Sequence, residues 1–120
     1  MNVNFRFSFK DIPEKPKVRI VEIGGEIDES SLDEFKKNIN DCFAKGDIKV
    51  FIFLIKDLEF INSTVIGYFA QIFSNLKGEG KKMIFADGNE KILDIFELVG
   101  FFNLTEHHDN LEAAIDSLEF

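Results

Sequence analysis

The stretch "IKVFIFLI" at residues 48–55 decides how the rest of the chain reads. From Val50 to Ile55 apolar side chains occupy both parities, so a strand formed there points apolar groups to both of its sides. That pattern marks a strand covered on both faces, the middle of a parallel sheet. Its apolar run "VFIFLI" at 50–55 is far short of the ~20 residues that cross a bilayer, so no membrane insertion is expected.

On the N-terminal side, "KVRIVEI" reads as another strand, closed by Gly24-Gly25, and the two prolines of "DIPEKP" make the loop before it. Phe5, Phe7 and Phe9 alternate with Arg6, Ser8 and Lys10, the period of a strand with one buried face, antiparallel to the next. Between Gly25 and the central strand, Ser31 with Glu34 has capping-box spacing. Leu32, Phe35, Ile39, Cys42 and Phe43 follow at helical intervals until Gly46.

On the C-terminal side, "NST" at 62–64 opens a helix to about Lys77, with Ile66, Phe69, Ala70, Phe73 and Leu76 on its core side. The glycines of "KGEG" end it, and "KMIFA" is a strand. Asp87 with Glu90 caps a helix through Val99 that Gly100 terminates. "FFNLT" reads as a short last strand, and Asp109 with Glu112 caps a final helix carrying Leu111, Ala114, Ile115 and Leu118. The order β-β-α-β-α-β-α-β-α predicts an α/β fold. Its sheet is mixed and mostly parallel, of about five strands with four helices, in one domain over residues 1–120. Function in such sheets gathers at the carboxyl ends of the strands, here the loops 24–31, 56–63, 86–90 and 105–109.

The composition narrows the class. A net charge of −8 has the wrong sign for a phosphate backbone, so nucleic acid is excluded as a partner. The N-terminus "MNVNFRFSFK" alternates instead of placing a basic segment before an apolar run, unlike a signal peptide, and Cys42 is the single cysteine. Both point to the cytoplasm. Cys42 lies on the apolar helical stripe, as a buried structural thiol would. With fifteen Phe, one Tyr and no Trp, the core is built largely from phenylalanine.

Several chemistries fail on their own requirements. His107 and His108 are adjacent and diverge, with Asp109 alone as a third ligand, which describes a solvated loop better than a metal site. "KGEGKK" at 77–82 lacks P-loop spacing and its Ser or Thr. Asp57 sits near the end of the central strand as a phospho-aspartate would, but "EIGGEID" lacks the adjacent acidic pair that holds Mg²⁺. No His or Lys neighbours Ser63 in sequence to act as its base. No catalytic residue, metal or cofactor is assigned. Two features stay open: "NST" is a helix cap or something more, and Val65, Tyr68 and Ile72 widen the apolar sector of the second helix. That surplus marks either a partner surface or a face that neighbouring elements cover.

The arrangement resembles the STAS domain, the fold of bacterial anti-sigma factor antagonists, over nearly the whole chain. The family's early "G-x-hydrophobic-D" is matched by Gly25, Glu26, Ile27 and Asp28. Its central "hydrophobic-D-S-S-G-hydrophobic-G" corresponds to Ile61, Asn62, Ser63, Thr64, Val65, Ile66 and Gly67, with Asn62 in place of Asp and Val65 in place of the first Gly. The resemblance implies a protein that captures an anti-sigma factor with serine kinase activity, frees a sigma factor, and is switched off by phosphorylation. The acceptor position falls on Ser63, with the Thr64 hydroxyl as second candidate, and the partner surface on Asp28, Asn62, Ser63, Thr64, Val65, Tyr68 and Ile72. The alternative is a constitutive scaffold or adaptor subunit of a transporter or signalling assembly, with Ser63 unphosphorylated and only a cap.

Overall fold

The computed structural model describes residues 4–118. Among them the order is β1 (Phe5–Ile12), β2 (Lys15–Ile27), α1 (Glu29–Ala44), β3 (Val50–Leu54), β4 (Leu58–Ile61) and α2 (Ser63–Gly78). There follow β5 (Lys82–Ala86), α3 (Glu90–Leu98), a 3-10 turn (Phe101–Asn103), β6 (His107–His108) and α4 (Leu111–Asp116). The six-stranded sheet runs β1-β2-β3-β5-β6, with β4 on β2 alone; β1 is antiparallel to β2 and every other pairing is parallel.

β3 sits in the middle, as its two-sided apolar run requires. Phe51, Phe53 and Ile55 face the large core with α1, α2 and α3, while Val50 and Ile52 face the smaller core under α4. The larger core is a chain of edge-on rings: Phe7 to Phe35 at 5.9 Å, Phe35 to Phe69 at 5.8 Å and Phe69 to Phe85 at 6.0 Å. Such offset contacts add to the burial of each ring by about 0.5–1.5 kcal/mol per pair. Cys42 is fully buried in this core, which raises its thiol pKa to about 11.

The buried cation Arg19 joins sheet to helix. It holds Asp11 through two hydrogen bonds (2.7 and 3.0 Å), and its Nη1 donates to the carbonyls of Cys42 and Lys45, both at 2.6 Å, at the C-terminal end of α1. That helix has no basic residue of its own in its last turn. Arg19 therefore meets carbonyls and a dipole end that α1 itself leaves unmatched.

Four expectations need correction. The last strand is not "FFNLT": Gly100, at φ +74°, turns the chain into a 3-10 turn in which Phe101 stacks on Phe96 at 5.0 Å, and pairing with β5 waits for His107–His108. β4 adds a strand inside the expected 56–63 loop, where four residues buried only at their ends show no alternation. The helix caps are Asp28, Asn89 and Asn110 rather than Ser31, Asp87 and Asp109. Ser31 is instead the third helical residue of α1's capping box, and Asp87, at φ +56°, has left the extended backbone a cap requires. Finally, α2 is rotated about its axis: its buried stripe is Val65, Phe69, Ile72 and Leu76, while Ile66, Ala70 and Phe73 are half-buried.

Candidate functional site at the carboxyl ends of the strands

Three loops converge where the parallel strands end. In the first, β2 exchanges its partner: Val18–Glu22 pair with β3, then Gly25–Ile27 pair with β4 across a bulge. Gly25 makes the exchange possible. It adopts φ +84°, and a Cβ there would lie 2.2 Å from the Asn4 carbonyl oxygen. Its N–H donates to the Asp57 carbonyl and the next N–H, of Glu26, to Asn4, both at 2.8 Å. Two residues on, Asp28 caps α1, its Oδ1 accepting from the Ser30 N–H (2.9 Å) and the Ser30 hydroxyl (2.6 Å). These bonds, the hydroxyl's first, hold its carboxyl below the usual carboxylate range.

The second loop answers the question left open at "NST". Asn62 is the cap: its Oδ1 accepts from the Val65 N–H at 3.0 Å. Ser63 is the first helical residue and is exposed, and among the described residues nothing hydrogen-bonds to its hydroxyl. The Thr64 hydroxyl is engaged, donating to Glu29 Oε1 at 3.2 Å and tying the start of α2 to the start of α1. Asp28, Asn62, Ser63 and Thr64 are thus brought together, with exposed Glu26 and Glu29 around them.

The other three expected contact residues are placed differently. Val65 and Ile72 point into the core, so they are not available to a partner. Tyr68 is half-buried between α2 and α1, edge-on to Phe35 at 6.1 Å with Lys36 Nζ 5.1 Å above its ring. Burial pushes its phenol up to about 12.

Two residues at the site were not singled out from sequence. Phe60, 41% exposed and paired in register with Glu26, is the large apolar side chain that faces solvent next to Asn62. Asn89 both caps α3, accepting from Ile92 N–H at 2.9 Å, and donates through Nδ2 to the carbonyls of Lys56 (2.9 Å) and Leu58 (2.7 Å). It pins the third loop to the turn that leads into β4. A "GNE" before an apolar helix signals a cap, but no pattern signals the second pair of bonds.

The two histidines diverge as adjacent residues do, His107 Nε2 accepting from the Gly88 N–H at 3.1 Å and His108 Nε2 meeting Glu106 at 3.1 Å. Among the described residues no group of three His, Cys, Asp or Glu is placed to hold a metal ion, and no helix is long and apolar enough to cross a membrane.

Comparison with known proteins agrees with this architecture. Residues 9–114 match the STAS domain. An anti-sigma F factor antagonist from Paenibacillus polymyxa is 22% identical over 102 residues, which cover 85% of this chain and 87% of that protein. An anti-sigma factor antagonist from Mycobacterium paratuberculosis superimposes with a TM-score of 0.79 at 16% identity, over 97% of this chain and 95% of the other. The Bacillus cell fate determinant SpoIIAA in its phosphorylated form gives 0.67 at 17% identity, over 92% of this chain and 97% of the other. With the match running through every element from β1 to α4, the chain belongs to the STAS domain family.

Proposed function

We propose that this protein is an anti-sigma factor antagonist, and that Ser63 is the hydroxyl through which it is switched. The observation that carries the reading is the division of labour at the start of α2. Asn62 does the capping, which leaves Ser63 exposed and its hydroxyl unengaged. A kinase can therefore take that hydroxyl without undoing the fold.

The local physics suits both states of such a switch. In the first turn of α2 the amides of Ser63 and Thr64 precede any intrahelical acceptor, and the positive end of the helix dipole lies there, so a phosphate on Ser63 is tolerated. For a partner the same group is costly. It adds nearly two negative charges at the centre of the contact, and these must be stripped of water before the surfaces can close. A kinase that holds its nucleotide's phosphates against Ser63 also meets like charge once the transfer is done.

Asp28, Asn62, Ser63, Thr64 and Tyr68 contribute to the docking surface. Phe60 supplies the apolar contact that buried Val65 and Ile72 cannot. The partner is an anti-sigma factor with serine kinase activity, and its capture releases a sigma factor.

The test mixes the purified chain with the anti-sigma factor kinase of the same organism and ATP. Capture of the unmodified protein, one phosphate mapped to Ser63, and loss of capture after modification are expected. Stable capture with no phosphate on the chain would favour a constitutive adaptor, and a phosphate on Thr64 would move the switch by one residue.

A further inference from the structure

The hydrogen bond from the Gly88 N–H to His107 Nε2, at 3.1 Å, requires that nitrogen to carry a lone pair. His107 is then neutral with its proton on Nδ1. Gly88 approaches this partner too closely for any side chain, since a Cβ on it would lie 2.6 Å from Leu93 Cδ2 and 3.0 Å from His107 Nε2. The residue before it, Asp87, is held at φ +56° while its N–H donates to the His108 carbonyl at 3.0 Å. The residue after it is Asn89, whose side chain grips the carbonyls of Lys56 and Leu58 at the entry to β4. β4 runs directly into Asn62 and Ser63. A continuous set of bonds thus links one imidazole to the strand that presents the candidate acceptor.

We propose that His107 is a protonation-controlled latch on the Ser63 site. Neutral, it holds the 86–90 loop by the Gly88 N–H and, through Asn89, holds β4 in register. Protonated at Nε2, it presents a donor to a donor, releases the loop and loosens the strand that carries Asn62 and Ser63. The regulatory meaning rests on the Ser63 reading; the latch itself does not.

The groups around the ring set where it acts. Asp87 faces it from the β5–α3 loop, and His108 and Asp109 from its own segment. The 3-10 turn contributes the Phe102 ring at 5.6 Å. Burial depresses the pKa of His107, while Asp109 and Asp87 pull it up and await the imidazolium once it forms. A depressed folded-state pKa means that the latch is closed above about pH 6.5 and opens as the pH falls through the folded value.

Amide and imidazole NMR on the whole protein, titrated from pH 7.5 to 5, tests this without any partner. The chain has two histidines, so few groups change charge in that window. The expected result is an Nδ1-protonated His107 at pH 7.5, with amide shifts at Gly88, Leu58 and Asn62–Val65 moving together at the His107 midpoint, below about 6.5. His107→Gln, which offers an amide oxygen near the Nε2 position and does not titrate, should flatten all of these curves. His108→Gln should keep the transition at all of these amides, its midpoint moved up at most by the loss of a neighbouring charge.

An Nε2-protonated ring at pH 7.5 would overturn the proposal. So would residues 58–65 that stay still while Gly88 titrates, or that titrate unchanged in His107→Gln. These outcomes bear on the latch alone, because phosphate incorporation at Ser63 is read in a separate assay.

Discussion

Asn62→Ala and Ser63→Ala alter adjacent residues and should have very different consequences. In Asn62→Ala the Val65 N–H loses its 3.0 Å acceptor at a residue that is itself fully buried. Loss of a cap costs about 1 kcal/mol, and an amide left partly shielded from water adds to that, so about 1–2 kcal/mol is expected. For a domain of 120 residues each kcal/mol lowers Tm by about 4 °C, which puts the mutant about 4–8 °C below wild type. Ser63→Ala removes an exposed hydroxyl that nothing in the described structure uses, and the change should stay within about 0.5 kcal/mol, or about 2 °C. Ser63→Asp should melt close to wild type as well, since a carboxylate at the first helical position suits the dipole while Asp28 and Glu29 nearby oppose it. Thermal melts followed by circular dichroism, with urea titrations as a check, measure all three. If Ser63→Ala were as destabilising as Asn62→Ala, the hydroxyl would be part of the helix cap, and the division of labour behind the proposed switch would be wrong.

Tyr68 is the one tyrosine in a chain without tryptophan, so its ionisation can be followed by ultraviolet absorbance; it should titrate near 12 in the native protein and near 10 once unfolded. Arg19→Ala should cost about 3 kcal/mol, the lower end for breaking a buried ion pair because Asp11 is half exposed, and a urea midpoint within error of wild type would contradict it. Asp11 has a folded-state pKa below its unfolded one, so its contribution is complete above about pH 4 and is lost as the pH falls further; the gap in urea midpoint between wild type and Arg19→Ala should narrow from pH 6 to pH 3. A protein of net charge −8 should bind no DNA at physiological salt, and a submicromolar, salt-sensitive complex would show otherwise.

The sheet was legible where burial leaves a period in the sequence. β3 declared itself by apolar residues on both parities and β1 by its alternating phenylalanines, and both sit where those patterns put them. β6 left no such trace, because two half-buried histidines flanked by the backbone bonds of Phe85 to Glu106 and Asp87 to His108 need no apolar pattern. The face of α2 was misjudged for a related reason. Val65, Ile66, Phe69, Ala70, Ile72 and Phe73 are all apolar, so periodicity alone allows two rotations of the helix, and packing against α1 and β5 selects one. At the candidate site, Ser63 and Asp28 were singled out through the motifs that carry the family resemblance. Phe60 and the second role of Asn89 were not, since both follow from where β4 lies, and β4 is too short to announce itself.

Arg19 also shapes how the protein comes apart. The carbonyls of Cys42 and Lys45 find their donor 23 and 26 residues away in the chain, on a strand rather than on their own helix. Severed from β2, the α1 segment would end in unmet acceptors with no basic residue in its last turn, so it has little reason to persist as a free helix. Helix and sheet are therefore obliged to form and dissolve as one cooperative unit at this corner. The last turn of α1, which by position should fray first, is instead tied to the interior of the sheet and should exchange its amide hydrogens on the timescale of global opening.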